Sequence, residues 1–374
     1  MIKHHKLLQI LCCAITLFTS LFSSGCQQQP TLPGSSSLQL EVVKEITLSP
    51  EVAEHLGNVV DRIPASPSED LLALTNARSP IHIVVVDYNG DLVEVVGSEG
   101  RGPEELLWPR YFGFDQENNI VVYDNDLALF KVFKHSSGSV SSYSPPSIQD
   151  MQIKGEGYFE GTCKDKWYIL TSSFSGIIDD STPIVGIFSK EFELLHTMGR
   201  YDPLFVERSE TRSVMRSPTL QTDCERKVLY TSHVKVPFIQ VYSMNDQSLI
   251  HRTEAMPPSF KLSDTFVSTV YDFAAHQEFR RDEQSTNMIV SHNEHYVITS
   301  FFNNTTEFIE TRDSLTRNYF LAVYDRETYS FIGELPVEGT IAGTTRQGYL
   351  IEIIDDNPEN FTIRFLDIQP VTGG

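Results

Sequence analysis

Apolar and polar positions along the chain form a repeating pattern of paired β-strand segments. Six short apolar or alternating runs each end at a polar turn residue: 83–86 before Asp87, 129–133 before Lys134, 184–188 before Ser189, 238–242 before Ser243, 320–324 before Asp325 and 361–366 before Asp367. Successive turn residues are 47, 55, 54, 82 and 42 positions apart. Alternation bounded by Asn, Asp, Gly and Ser predicts β-hairpins, and a spacing of about 40–50 residues is typical of a four-stranded propeller blade. The pattern therefore predicts an all-β, six-bladed β-propeller of four-stranded antiparallel blades.

The last predicted blade lacks a good outer strand at its C-terminal end. Eight residues follow the run at 361–366, and Pro370 among them has no N–H to donate to a ladder. An alternating segment at 38–48, with apolar Leu40, Val42 and Ile46, is available instead. We therefore predict that this N-terminal strand pairs with the last strand and closes the ring, which removes an open sheet edge.

The first 25 residues have the layout of a secretory signal. Lys3 and Lys6 give a basic start, residues 7–22 are apolar, and small residues precede Cys26. The apolar segment is too short for a convincing membrane span. Ser-Ser-Gly before a cysteine resembles the lipobox of bacterial lipoproteins, in which the cysteine becomes the acylated N-terminus, although a Leu is usual where Ser23 stands. We predict that Cys26 is lipidated; the alternative is ordinary cleavage with an incidental cysteine.

A polar segment follows the predicted cleavage site. Residues 26–37 are rich in Gln, Pro, Gly and Ser, which form a tether and cannot build a core. The predicted organisation is a lipoprotein signal peptide at 1–25, a tether at 26–37 and one propeller domain at 38–374, because an all-β repeat protein can use that length as a single domain. The anchor places the protein in the bacterial cell envelope, facing the periplasm or the cell surface.

The chain is strongly acidic. Removal of Lys3 and Lys6 with the signal leaves 27 basic and 50 acidic side chains, a net charge of −23. Such a surface repels nucleic acid, and it repels anionic lipid beyond the acyl anchor. The predicted partners are therefore the membrane, through the lipid, and an envelope protein or glycan. We expect a monomer.

Only two cysteines remain beyond Cys26. Cys163 and Cys224 open matching segments and so take equivalent places in adjacent blades, near the start of the second strand. An oxidising compartment permits a disulfide, but equivalent positions in neighbouring blades can lie further apart than the roughly 4.4–6.8 Å that a disulfide requires between Cα atoms. The sequence leaves both states open and favours two buried thiols.

The segment from Gly97 to Pro109 carries a family resemblance. A glycine-rich turn with Gly-Pro-Glu-Glu, a hydrophobic pair and a proline lies between two strands, and a hairpin from Phe114-Asp115 to Asp124 follows. This junction resembles that of NHL-type propellers. Together with the lipobox, it makes the chain similar to the six-bladed, TolB-like propeller lipoproteins of Bacteroidetes. The resemblance implies the fold and an envelope location; it implies no activity, because this fold hosts many functions.

Sequence motifs of catalysis are missing from the chain. The repeated Ser-x-Asp-x-Gly-x-Thr-Trp boxes of sialidase propellers, the Gly-x-Ser-x-Gly elbow, the P-loop and His-Glu-x-x-His do not occur. His292 and His295 are a close pair, but three-residue spacing on a strand puts them on opposite faces. We therefore predict no catalytic residue, metal ligand or cofactor. The alternative is a propeller-type hydrolase or lyase with a metal or carboxylate site in the central tunnel.

Two connections between blades carry arginine and tryptophan side chains. Loops on a rigid scaffold commonly carry function. The loop at 199–217 holds Arg208 and Arg212 among other arginines, and the turn at 99–110 holds Arg101, Trp108 and Arg110. Connections of this type emerge on one side of a propeller, so we predict one ligand-facing rim made of these five residues. The alternative is that Glu207 and Glu210 pair with the arginines on a solvated loop.

These observations predict a lipid-anchored cell-envelope β-propeller that acts as a binding or scaffolding module.

The prediction of the anchor is tested by Cys26→Ser in the native host. Loss of the acylated residue should move the protein from the membrane to the soluble fraction, as measured by fractionation and immunoblotting. A variant that stays on the membrane, or a wild type that is soluble in the periplasm, would contradict it.

Overall fold

Antiparallel β-hairpins make up most of the computed structural model. The model describes residues 38–57, 62–76, 81–124, 126–135, 138–144, 151–153, 159–163, 166–173, 182–204, 218–262, 285–311 and 316–371. The predicted signal peptide and tether lie outside this part, and the described strands all belong to one compact unit, Ser36–Gly374. No helix in the described part is both long and apolar enough to span a membrane.

Six sheets follow one another along the chain. Blade one has β2 (Leu71–Thr75), β3 (Ile83–Asp87) and β4 (Leu92–Val96); two short strands, β5 (Ser98–Glu99) and β6 (Glu105–Leu106), come next. Blade two has β7 (Pro109–Phe114), β8 (Ile120–Asp124), β9 (Leu129–Phe133) and β10 (Val140–Tyr143). Blade three has β11 (Met151–Ile153), β12 (Phe159–Cys163), β13 (Lys166–Ser173), β14 (Pro183–Phe188) and β15 (Leu194–Arg200).

The second half of the chain continues in the same order. Blade four has β16 (Pro218–Asp223), β17 (Val228–His233), β18 (Val236–Ser243) and β19 (Leu249–Arg252). Blade five has β20 (Ser285–His292), β21 (Tyr296–Asn303), β22 (Asn318–Asp325) and β23 (Phe331–Val337). Blade six has β24 (Thr340–Thr344), β25 (Leu350–Asp355), β26 (Thr362–Pro370) and the N-terminal β1 (Leu38–Thr47). In the described part of the chain, two short helices, α1 (Pro50–Ala53) and α2 (Thr306–Thr311), lie in connections.

The fold prediction is confirmed as a six-bladed β-propeller closed by the N-terminal strand. β1 pairs antiparallel with β26 from Leu38 opposite Pro370 to Thr47 opposite Thr362. Pro370 belongs to the strand after all, because it occupies the last pair of the ladder. Two blades depart from the four-stranded pattern. The inner strand of blade one is reduced to a single bridge between Ala65 and Leu72, and both β11 and β12 pair with β13 in blade three.

The apolar core is divided among the contacts between neighbouring blades. Side chains alternate between the two faces of a strand. In β3, Val84 and Val86 therefore pack in the cluster shared with blade six, while Ile83 and Val85 pack in the cluster shared with blade two. Further clusters join blades two and three, three and four, four and five, and five and six. The alternation in the sequence thus encodes two interfaces for each blade.

A disulfide joins blades three and four, so the expectation of two free thiols is wrong. Cys163 at the end of β12 bonds to Cys224 in the turn after β16, and their Cα atoms are 5.3 Å apart. This separation lies within the range that a disulfide allows. The physical reason is position: β12 and β16 are the inner strands of their blades, and inner strands converge toward the axis of the ring.

A buried ion pair joins blades four and five. Arg326, in the turn after β22, donates from Nε to Asp223 Oδ2 at 2.9 Å, and Tyr230 Oη donates to the same oxygen at 3.2 Å. Asp223 is fully buried. Burial opposes its ionisation, but the N–H of Arg226 and the charge of Arg326 outweigh that effect and lower the pKa of Asp223. A buried charge with these partners fixes the registry of the two blades.

The disulfide should contribute substantially to stability. It closes a loop over a sequence separation of 61 residues, so its removal frees the unfolded chain. We expect the double variant Cys163→Ala/Cys224→Ala to lose about 2–4 kcal/mol in free energy of unfolding. Urea denaturation with and without reductant measures it: reductant should destabilise the wild type and leave the double variant unchanged. Equal stability of the oxidised wild type and the double variant would contradict the expectation.

Candidate functional site

The connections between consecutive blades share one face of the ring. Each leads from the outer strand of one blade to the inner strand of the next, so the propeller topology brings all of them to the same side. The connection from β4 to β7 and the one from β15 to β16 are two examples. We call this side the junction face. It carries the first of two candidate sites, and the central cavity near the axis is the second.

The connection from β4 to β7 folds into a compact loop, residues 98–108, which we call the junction loop. β5 and β6 pair in parallel, and Gly100 N–H donates to Leu106 O at 2.9 Å. Gly97 introduces the loop with a φ of +81°, where a Cβ atom would lie 2.7 Å from Leu106 Cδ1. Glycine is therefore required at this position. Gly102 N–H donates to Glu105 Oε2 at 2.6 Å, which ties the tip of the loop to its own base.

A buried lysine of blade two, Lys131, supports the junction loop through hydrogen bonds to its backbone. Lys131 in β9 is only 1% exposed, and its ammonium donates to Gly102 O at 2.8 Å and also to Glu105 O. Burial lowers the pKa of Lys131, and the nearby carboxylates of Asp124 and Glu105 act in the opposite direction. The loop carbonyls thus provide the polar partners that a buried ammonium needs.

A buried carboxylate holds the end of the same loop. Asp124 is fully buried at the end of β8. Its Oδ2 accepts the N–H of Leu107 at 2.6 Å, and its Oδ1 accepts those of Trp108 and Leu127 at 3.3 and 3.0 Å. Backbone N–H groups from both sides of the strand therefore converge on one side chain. Together with Lys131, Asp124 fixes the junction loop on blade two.

Two of the five predicted rim residues lie on this fixed loop. Trp108 is 39% exposed, and Arg101 is exposed at the tip. Arg110 lies in β7, but its side chain is outside the described part of the structure. Arg208 and Arg212 are outside the described residues as well. The common rim of all five residues therefore stays a prediction.

The central cavity lies where the inner strands of several blades approach one another. It has a volume of about 240 Å³ and is lined from blades one, two, three, four and six. Phe114 and Trp167 supply apolar surface, while Gln116 and Gln221 supply amide groups. Cys224 of the disulfide also borders it. The residues that line this cavity include no Asp, Glu or His, so they offer no general acid or base.

Metal-binding geometry is also missing from the part of the chain that the structure describes. Within it, no group of three or more His, Cys, Asp or Glu side chains is arranged to hold an ion. His292 at the end of β20 interacts through Nε2 with Thr222 O at 3.1 Å, and burial lowers its pKa. His295 is exposed in the following turn. The two histidines therefore lie in different environments, one in contact with blade four and the other exposed.

Sequence analysis missed Lys131 and Asp124, the residues that position the loop. A signal for Lys131 was present, because it is a lone charge in the apolar run Leu-Phe-Lys-Val-Phe. A lysine at such a position must find partners or lose its charge. Nothing local distinguishes Asp124 from the other aspartates that end strands in this chain, since the N–H groups of Leu107 and Trp108 that make it a loop support come from the preceding connection.

Solved structures give the fold a context. The chain is similar in fold to a DUF4221 protein. That protein, from Bacteroides vulgatus ATCC 8482, aligns with a TM-score of 0.62 at 13% identity, covering 90% of this chain and 100% of its own. A second, from Bacteroides fragilis NCTC 9343 and named as a candidate exported protein, aligns with a TM-score of 0.54 at 12% identity, covering 91% and 98%.

The sequence comparisons do not assign the chain to a protein family. No protein-family profile matches the chain. No curated protein matches it in sequence either. At identities of 13% and 12% the DUF4221 and B. fragilis structures show the propeller fold alone. The resemblance to NHL-type and TolB-like propellers remains a prediction, and function has to be argued from the sites described above.

The support of the junction loop by Lys131 can be tested directly. Lys131→Met keeps most of the side-chain volume but leaves two buried carbonyls without their donor, which should cost about 1–3 kcal/mol in free energy of unfolding. Hydrogen exchange should also accelerate at the amides of Gly102 and Glu105. Lys134→Met, three residues along the chain on an exposed turn residue, is the matched control and should change neither quantity. Unaltered exchange in Lys131→Met would show that the loop does not depend on this lysine.

Proposed function

We propose that this protein is a lipid-anchored propeller of the bacterial cell envelope that acts as a binding or scaffolding module, with the junction face as its contact surface. The observation that carries the proposal is the junction loop. Two buried charged residues, Lys131 and Asp124, hold its backbone, while Trp108 and Arg101 remain exposed on it. A buried charge is costly, so its use to fix a surface loop is best explained by a function of that surface.

The chemistry of the junction loop suits recognition. Tryptophan and arginine are enriched among the residues that dominate binding energy. A loop that is already ordered loses little conformational freedom when a partner binds. Because the chain as a whole is acidic, with 50 acidic and 29 basic residues, an arginine-bearing surface on it favours an anionic or polar partner. An envelope protein or glycan meets this description, and the propeller would act on it as a monomer.

The proposed location has two supports of different kinds. The N-terminal segment has the layout of a lipoprotein signal ending at Cys26. The Cys163–Cys224 disulfide is of the kind that forms and persists in oxidising compartments outside the cytoplasm. Export of the propeller accounts for both.

The alternative function, a hydrolase or lyase with a metal or carboxylate site in the tunnel, gains no support from the central cavity. Its lining consists of apolar, amide, hydroxyl and disulfide groups. These groups bind ligands but do not transfer protons at neutral pH. We therefore keep binding as the proposed function.

The proposal is tested by crosslinking and recovery of partners from cells that express the native, membrane-anchored protein. Trp108→Ala and the double variant Arg208→Ala/Arg212→Ala should each reduce partner recovery by roughly thirty-fold, as expected for loss of about 2 kcal/mol from a binding hot spot. Val93→Ala, an exposed apolar residue on the outer strand β4, is the control and should recover partners as the wild type does.

Stability has to be measured beside recovery. Surface ion pairs contribute about 0–1 kcal/mol to folding, so we expect thermal unfolding of the double arginine variant to match that of the wild type. Trp108 is 39% exposed, so recovery with Trp108→Ala is measured at a temperature at which that variant is fully folded. Full recovery by the Trp108 and double arginine variants, at unchanged stability, would remove the junction face as the contact surface.

A further inference from the structure

A cavity of about 500 Å³ lies between blades three and four, away from the junction loop and the central cavity. Blade three contributes Met198 and Arg200 from β15, and blade four contributes Gln240 and Leu249 from β18 and β19. Its volume falls in the range of about 300–1,000 Å³ that is usual for small-molecule sites. The lining includes two arginines, Arg200 and Arg252, and no acidic residue, although the chain carries 50 acidic side chains.

One of these arginines is held rigidly in the wall. Arg252 donates to Asp202 from Nε at 2.7 Å and from Nη2 at 3.0 Å, and Asp202 is fully buried. The guanidinium also lies over the ring of Phe238, 4.1 Å from its centroid. This bidentate pair holds the side chain of Arg252 in place in the cavity wall. The charges of Arg252 and Asp202 nearly cancel, so this part of the wall is close to neutral. Arg200, in contrast, is exposed, and its charge is available to a ligand at the edge of the cavity.

The amide of Gln240 is the feature that points to a ligand. Gln240 is 3% exposed, and its Oε1 accepts no hydrogen bond from any residue that the structure describes. Two positions along the same face of β18, Tyr242 is satisfied, because its hydroxyl accepts the N–H of Arg200 at 3.0 Å. More than nine in ten buried polar groups find a partner, and one that does not costs about 1–3 kcal/mol. A donor bound in the cavity would remove this cost.

Comparison with blade two supports the same conclusion. Lys131 and Gln240 occupy equivalent places, each three residues before the polar turn that ends the third strand of its blade. In blade two, the long lysine reaches the preceding connection and its ammonium is satisfied there. In blade four, the shorter glutamine borders a cavity, and its oxygen has no donor among the residues that the structure describes. Among the described residues, this position is therefore satisfied in blade two and unsatisfied in blade four.

We propose that the interblade cavity binds a small ligand with a carboxylate, an N–H donor and an apolar side chain, the chemistry of an N-acyl amino acid or of the C-terminal residue of a peptide. The N–H would donate to Gln240 Oε1. The carboxylate would lie toward Arg200. Met198, which is buried, and Leu249, which is 50% exposed, would receive the apolar side chain. The cavity borders the start of the connection from β15 to β16, but it includes no residue of the junction loop. Binding of a small ligand there can therefore be measured whether or not the junction loop contacts a partner.

The first experiment removes one ligand group at a time. Isothermal titration of the full-length protein with N-acetyl-L-leucine should give a Kd of about 1 mM, as expected for a ligand of about a dozen heavy atoms. N-acetyl-L-leucinamide, which lacks the carboxylate, should bind at least tenfold more weakly, and 4-methylpentanoate, which lacks the N–H, about tenfold more weakly. Acetyl-Gly-Gly-Leu distinguishes the two sources: equal or tighter binding identifies a peptide terminus, and weaker binding a free N-acyl amino acid.

The second experiment removes the protein group. Gln240→Leu should abolish the preference for N-acetyl-L-leucine over 4-methylpentanoate without lowering thermal stability, because it deletes an unpaired buried acceptor. Gln221→Leu, which makes the same change in the central cavity, is the matched control and should keep the preference. Should Gln240→Leu fail to fold, Arg200→Gln serves in its place and should erase the preference for the acid over the amide. No saturable binding at 10-fold the expected Kd of about 1 mM, or preferences that survive these variants, overturns the proposal.

Discussion

The pairing of β1 with β26 is the constraint on which the rest of the propeller depends. Each blade has two apolar faces and needs a neighbour on both sides. β1 contributes Leu38 to the cluster between blades five and six and Ile46 to the cluster between blades six and one. A ring without this strand would expose both clusters and leave β26 as an open edge. One N-terminal segment therefore completes two of the six interfaces at once.

A disulfide and a buried ion pair connect blades near the middle of the chain. The Cys163–Cys224 disulfide joins blades three and four, and the Asp223–Arg326 pair joins blades four and five. Asp223 immediately precedes Cys224, so a single turn after β16 ties blade four to both neighbours. Because a buried ion pair is weak evidence for stability but fixes relative position, we interpret these links as setting the registry of blades whose apolar contacts alone are not directional.

The strand pattern could be predicted from sequence because it is local. Period-2 alternation and polar turns located the hairpins of every blade, and the spare alternating segment before residue 49 located the closing strand. The cysteines were misjudged because the distance between equivalent positions in two blades depends on their distance from the axis, which no local pattern contains.

Lys131 and Gln240 were passed over for a related reason. Each looks like an interruption of an apolar strand, and only the neighbouring connection shows what the side chain meets. Arg208 and Arg212 lie outside the described residues, so the predicted arginine rim is unchanged by the structure.

A polar residue at a buried strand position has two different meanings in this protein, and hydrogen bonding separates them. Lys131 is satisfied by the carbonyls of Gly102 and Glu105, so its cost is repaid within the fold and its role is to hold a surface loop. Gln240 has the same place in its blade, but its oxygen lies beside a cavity and has no partner in the described part of the chain. No described residue donates to this oxygen, and a bound ligand is the donor that we propose. In the two proposals, the first residue positions a surface for a partner and the second contacts a ligand, so both proposed functions use one repeated position of the propeller.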